Sequence, residues 1–153
     1  MDSLSKAFVA IAAVGIPDAL YHAYDEITSY SSSISTVCNT HASLWGILFS
    51  CGSVFKSGFT RFPPGYGPAM WVYGVVWFPL VLALGLWSAR RSGTLNGALL
   101  LPVLMVGNVF TLYLWYLELG VIHAICPVCL SLYVLNYVMT GLAARSLVQA
   151  GVA

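Results

Sequence analysis

ICPVCLSLYVLNYVMTGLAA, Ile125 to Ala144, contains no charged side chain. It opens on Cys126-Pro127-Val128-Cys129 and stays uncharged to its end. About 20 such residues are what a helix needs to cross about 30 Å of hydrocarbon. The run is continuous rather than alternating, so a helix, not a barrel strand, satisfies its backbone in lipid. Three more runs of similar length stand upstream, at about 7–24, 69–89 and 98–117. The sequence therefore predicts an all-α integral membrane protein. Its four transmembrane helices form one bundle and one domain, 1–153.

Composition agrees. Of 153 residues, 59% are hydrophobic and 7% charged, where a soluble chain carries about 25% charged residues. So little charge cannot cover a water-facing surface. The net charge of +1, with no basic stripe, excludes a nucleic-acid binder that works through phosphates. The first run is the most polar, with Pro17, Asp18 and His22, and Lys6 at its start gives it the look of a signal peptide. No small-x-small cleavage site follows it, so it is expected to stay as a span.

Basic residues set the orientation. With four alternating spans, Lys6, Arg90, Arg91 and Arg145 fall on one side, and Lys56 and Arg61 on the other. Both termini are then cytoplasmic. The long loop 25–68 and the short Glu118–His123 turn face outward. Long loops inside compact domains are usually functional. This one begins polar and Ser-rich and turns apolar from His41 to Phe55. That stretch is too short to span, so it is expected as a half-helix lying over the bundle. Phe62 to Pro68, with three prolines and two glycines, reads as a rigid turn into the second span.

All four cysteines fall on the outer side, where disulfides persist. Cys38 and Cys51 lie in the loop, and Cys126 and Cys129 open the fourth span. Three pairings are open in principle. A helix N-terminus carries unpaired N–H groups and partial positive charge, which favours a thiolate. Pro127 suits the first helical turn, where its missing N–H is no loss. Cys126, Cys129, Tyr133 and Asn136 project within about 80° of one helix face. Two thiols followed inward by a phenol and an amide suit reduction of a lipid-soluble carbonyl compound. Polar groups at membrane depth usually face a bundle interior or a site.

Other readings of these residues stand beside this one. Four thiolates are a zinc ligand set, but a second CxxC is lacking. The loop pair could be a structural disulfide. Tyr133 and Asn136 could make only interhelical hydrogen bonds. Asp18, His22, Asn108 and His123 are read as structural, and Trp71, Trp77 and Trp87 as packing or interface anchors. Leu44-Trp45-Gly46 with a cysteine pair is also compatible with a non-enzymatic four-span junction protein, which would leave the CxxC without a role.

The run Cys126-Pro-Val-Cys129-Leu-Ser-Leu-Tyr133-Val-Leu-Asn136 resembles the active-site helix of the vitamin K epoxide reductase family. Ser50-Cys51-Gly-Ser-Val54-Phe55-Lys-Ser57 resembles its second loop cysteine and the Val-Phe-x-Ser that follows. Gly15 to His22 is similar to the end of its first helix, and Tyr73-Gly74 to an aromatic-Gly pair in its second. The order of separated pair first and CxxC last is also that family's. The resemblance implies a plasma-membrane, prokaryotic-type enzyme that transfers electrons from protein thiols to a quinone of the ubiquinone or menaquinone type, with no metal. It implies that Cys51 hands electrons to Cys126, that Cys129 meets the quinone, and that Cys38 is the partner of Cys51. Phe55, Tyr133 and Asn136 would line the quinone pocket. No fused thioredoxin-like domain is expected after the fourth span, so the donor would be a thioredoxin-like (DsbA-like) protein acting in trans. One departure is Met70, at the register position where animal members carry an Asn that bonds the quinone oxygen; it favours plain quinone reduction over epoxide reduction.

Overall fold

The computed structural model describes residues 2–31, 43–44, 46–57, 59 and 61–152. Four helices are long and apolar enough to cross a membrane: α1 (Ser3–Ser31), α3 (Met70–Ser92), α4 (Gly97–Tyr116) and α5 (Pro127–Val152). Val76, Val106, Val109, Leu112 and Val148 each keep more than half of their surface exposed on these helices. Lipid, not water, is the solvent for such a surface. The protein is a multi-pass membrane protein built as an all-α four-helix bundle.

α1, α3 and α5 run past the C-terminal ends of the expected spans, to Ser31, Ser92 and Val152, whereas α4 keeps the expected length. Hydropathy marks where lipid begins, whereas capping marks where a helix ends. Gly93, at φ 72°, closes α3 with its N–H on the Ala89 carbonyl. The Asn96 side chain caps α4 by accepting from Leu99 N–H. After Tyr116 the chain does not leave the helix as the expected outer turn. It widens into a π-helical turn over Leu117–Ile122, which His123 ends at φ 54°.

α1 packs along α3 and α5, and α4 along α5. The main core gathers Phe8, Ala12, Ala19, Phe78, Val81, Leu100, Leu104 and Met139. Small residues let these helices approach closely, as membrane packing requires. A Cβ on Gly15 would run into the Phe78 ring, whereas one on Gly74 would meet Ala19 Cβ at 3.6 Å, an ordinary contact. Gly15→Ala is therefore expected to destabilise the bundle by about 1–3 kcal/mol through overpacking. Gly74→Ala should leave the thermal midpoint in detergent nearly unchanged, and equal midpoints for the two variants would refute this packing.

The cap over the bundle is smaller than expected. Among its described residues only Cys51–Lys56 is helical (α2). Ser43–Leu44 (β1) and Ile47–Phe49 (β2), expected in the same half-helix, pair as antiparallel strands. β2 also pairs in parallel with β3 (Ala124–Ile125), which makes a small three-stranded sheet. The Phe62–Pro68 turn is closed by a bridge between Arg61 and Ala69, and Phe62 N–H donates to the Pro68 carbonyl.

Candidate redox site

The sheet brings two cysteines together. In the β2–β3 register Phe49 lies beside Ile125, and Ser50 N–H donates to the Ile125 carbonyl at 3.1 Å. Each strand then turns into a helix at its next cysteine. Ser50 Oγ accepts from Ser53 N–H, so α2 begins at Cys51. Cys126 stands just before α5. Its carbonyl accepts from Leu130 N–H, and its Sγ from Cys129 N–H at 3.4 Å. That is the N-cap arrangement, with sulfur in the role usually taken by a hydroxyl or carboxylate oxygen. Cys126 Sγ lies 2.9 Å from Cys51 Sγ, and both residues are fully buried. Cys51 is itself in a disulfide, and Cys126 and Cys129 are free thiols.

Cys126 lies between the two spans Gly97–Ile122 and Pro127–Gly151. Burial by itself would push its thiol up. Hydrogen bonds with Cys129 and His22, the charge of His22 and the Cys129 N–H outweigh burial and hold it down at about 6. A free thiol titrates near 8.5, so Cys126 is mostly thiolate at neutral pH. The ultraviolet thiolate absorbance that disappears in Cys126→Ala is expected to rise with pH through a midpoint near 6. His22→Ala should move that midpoint upward, since both His22 contributions are lost. An unmoved midpoint would remove His22 from the site's electrostatics.

His22, read from sequence as structural, comes from α1 to put Nε2 3.0 Å from Cys129 Sγ. The ring's tautomer decides which atom holds the proton. One turn earlier on the same helix, Asp18 Oδ2 accepts from Ser131 Oγ at 2.7 Å, which ties α1 to α5. One turn later lies Glu26, more than nine-tenths buried. The other buried acid, Glu118, sits in the π-helical turn, and its Oε1 accepts from Tyr133 O–H at 3.0 Å. Asp18, His22 and Glu26 recur every four residues, so they share one helix face. That periodicity was the readable signal for His22 and Glu26. Glu118, a lone acid at the end of an apolar run, carried no such signal.

Behind Cys129 lies a cavity of about 390 Å³, within the usual range for small-molecule sites. Its wall is mainly apolar, from Trp71, Val76, Phe110, Leu114 and Leu132, with Phe59 and Phe62 from the loop. Its polar lining includes His22, Glu26, Glu118, Cys129, Tyr133 and Asn136. Asn136 also ties helices together: its Oδ1 accepts from Trp77 Nε1 at 3.0 Å, and its Nδ2 donates to Asn108 Oδ1 at 2.6 Å. Tyr133 and Asn136 thus line the cavity and also make the interhelical hydrogen bonds that the sequence allowed. Met70 lines the same cavity. Phe55 belongs to α2, but its side chain lies outside the described residues, as does all of Cys38.

Three of the four sequence-chosen cysteines therefore meet at one end of the bundle, beside a cavity that holds two of the three chosen pocket residues. A family comparison gives the same direction. The sequence model of the Vitamin K epoxide reductase family matches residues 6–144.

Proposed function

The chain belongs to the Vitamin K epoxide reductase family, a family of membrane thiol–disulfide and quinone oxidoreductases, and from that premise we propose that it couples oxidation of an external dithiol protein to reduction of a membrane quinone. The observation that carries this reading is the 2.9 Å approach of Cys51 and Cys126 sulfurs at the end of an apolar cavity lined by Cys129. We read 1–153 as one membrane domain with its cysteines on the outer face.

The relay runs by thiol–disulfide exchange. A thioredoxin-like donor in trans reduces the Cys38–Cys51 pair through a mixed disulfide. The Cys51 thiolate attacks Cys126 in the Cys126–Cys129 disulfide, and Cys129 leaves as a thiolate. Cys38 then attacks Cys51, which re-forms the loop disulfide and releases Cys126. The outcome is an oxidised loop and a reduced CxxC; in this structure Cys51 is in a disulfide and Cys126 and Cys129 are free. A quinone in the cavity accepts two electrons and two protons. The Cys126–Cys129 disulfide re-forms as the electron pair leaves, so one dithiol is oxidised for each quinone reduced.

The chain's polar groups each have a task in this reading. The N-terminus of α5 stabilises the Cys126 thiolate when Cys126 is the leaving group. His22 orients the Cys129 sulfur. Glu118, with Tyr133, and Glu26 hold protons at the cavity wall and return them when charge develops there. Asn136 has one amide hydrogen and one oxygen lone pair beyond its two interhelical bonds, which suits a quinone carbonyl. Met70 offers a thioether where an amide would be needed, so plain quinone reduction is the favoured chemistry. In the cell the result is disulfide formation in exported proteins.

The test is a spectrophotometric assay of quinone reduction by the purified protein with a reduced thioredoxin-like donor. Turnover with a ubiquinone or menaquinone analogue is expected. No turnover with either, by protein whose Cys126 and Cys129 are fully reducible, would end this reading.

A further inference from the structure

We propose that His22, Cys126 and Cys129, in the dithiol state, bind one thiophilic divalent cation, zinc, and that this ion closes the CxxC to the loop disulfide and to the cavity. The ion is an inhibitor, not a resident cofactor; the binding claim stands by itself, while its effect on turnover rests on the function proposed above.

Geometry comes first. One ligand atom from each of the three residues lies within 4.8 Å of the other two, and all three residues are buried. His22 Nε2 and Cys129 Sγ are 3.0 Å apart. Zinc takes sulfur at about 2.3 Å and nitrogen at about 2.0–2.1 Å, so tetrahedral edges of about 3.5–3.8 Å join such ligands. Small side-chain rotations bring the three atoms to that spacing. The helices need not move, because the Ser131–Asp18 bond already fixes α5 against α1 one turn away from His22.

Charge comes second. Two thiolates neutralise the dication, and a neutral imidazole adds no charge. A neutral unit is what the apolar end of a membrane bundle accepts, whereas separated charges there are costly. Glu26 and Glu118 are more than nine-tenths buried, and each has an Oε2 with no hydrogen-bond partner among the described residues. Both line the cavity that His22 and Cys129 line. Each can accept a hydrogen bond from a water in the fourth position, the outer support that metal ligands commonly need.

Redox state then decides occupancy. A disulfide is a poor zinc ligand, so closing Cys126–Cys129 removes two of the three donors. Zinc and electron transfer compete for the same two sulfurs.

The experiment uses full-length protein in detergent, reduced with a phosphine that does not bind metal, and zinc alone. We expect one zinc per chain, released when the CxxC is oxidised. His22→Ala should weaken binding by about tenfold or more, while Cys51→Ala should retain it. Cobalt in place of zinc in the unmodified protein should give charge-transfer absorbance of two thiolates, a reading that needs no variant. No uptake by the reduced protein, equal affinity in His22→Ala, or a four-thiolate cobalt spectrum lost in Cys51→Ala would overturn the proposal. Quinone turnover plays no part in these readings, so they fail or succeed independently of the proposed function.

Discussion

Cys129→Ala is expected to lower quinone reduction by about a thousandfold or more with every electron donor, as loss of a reacting group does. Among the described residues Cys129 is the cysteine that lines the cavity, and its sulfur faces His22 at 3.0 Å. Alanine removes one sulfur from a cluster that Val54, Cys126 and Tyr133 still fill, so the fold should persist. What disappears is the second sulfur needed to close a disulfide as two electrons leave. The variant should also change the resting thiol state. Cys126 still holds its sulfur against Cys51 at 2.9 Å. Attack on the loop disulfide forms a Cys51–Cys126 bond that no neighbouring CxxC thiol can reopen. Non-reducing peptide mapping should find that link in Cys129→Ala and much less of it in the unmodified protein. Equal rates of quinone reduction in the two proteins would dispose of the mechanism.

The spans were legible because lipid acts on composition, and an uncharged run such as Ile125–Ala144 has only one good solvent. The CxxC at the start of α5 was legible for a similar local reason: Cys126, Pro127 and Cys129 each suit a helix beginning. Where the loop folds was not. Cys51 and Cys126 are 75 residues apart in sequence, and what joins them is a two-residue strand, Ala124–Ile125, too short to have a period. For the same reason Ile47–Phe49 looks as helical as it looks extended until its partner is known. Glu118 was hidden by its position. At the end of a hydrophobic run an acid usually marks water, but the π-helical turn keeps it inside the bundle, where Tyr133 donates to it. His22 and Glu26 carried a usable signal in their four-residue spacing, which points them at whatever α1 packs against. That this neighbour was α5, with Cys129, was a property of the assembled bundle alone.

Cys51→Ala is expected to separate two kinds of donor. With a reduced thioredoxin-like protein, turnover should fall by orders of magnitude, to background. With a small dithiol it should continue at or above the unmodified rate. The reason is steric as much as chemical. Cys126 is fully buried, with Cys51 Sγ against its own sulfur. A protein donor cannot bring its active-site thiol into that gap, so it needs Cys51 to carry electrons the last step. Truncation to alanine removes the carrier and in the same act opens the approach to Cys126. A dithiol of a few atoms can then reach the Cys126–Cys129 disulfide directly, and the low-lying Cys126 thiolate, held down at about 6, remains a good leaving group. The quinone end keeps its reacting sulfur, since Cys129 lines the cavity and Cys51 is not among its lining residues. Two results would defeat this account in different ways. Full activity with the protein donor would remove Cys51 from the electron path. Loss of activity with both donors would mean that the Cys51 sulfur shapes the CxxC itself rather than delivering electrons to it.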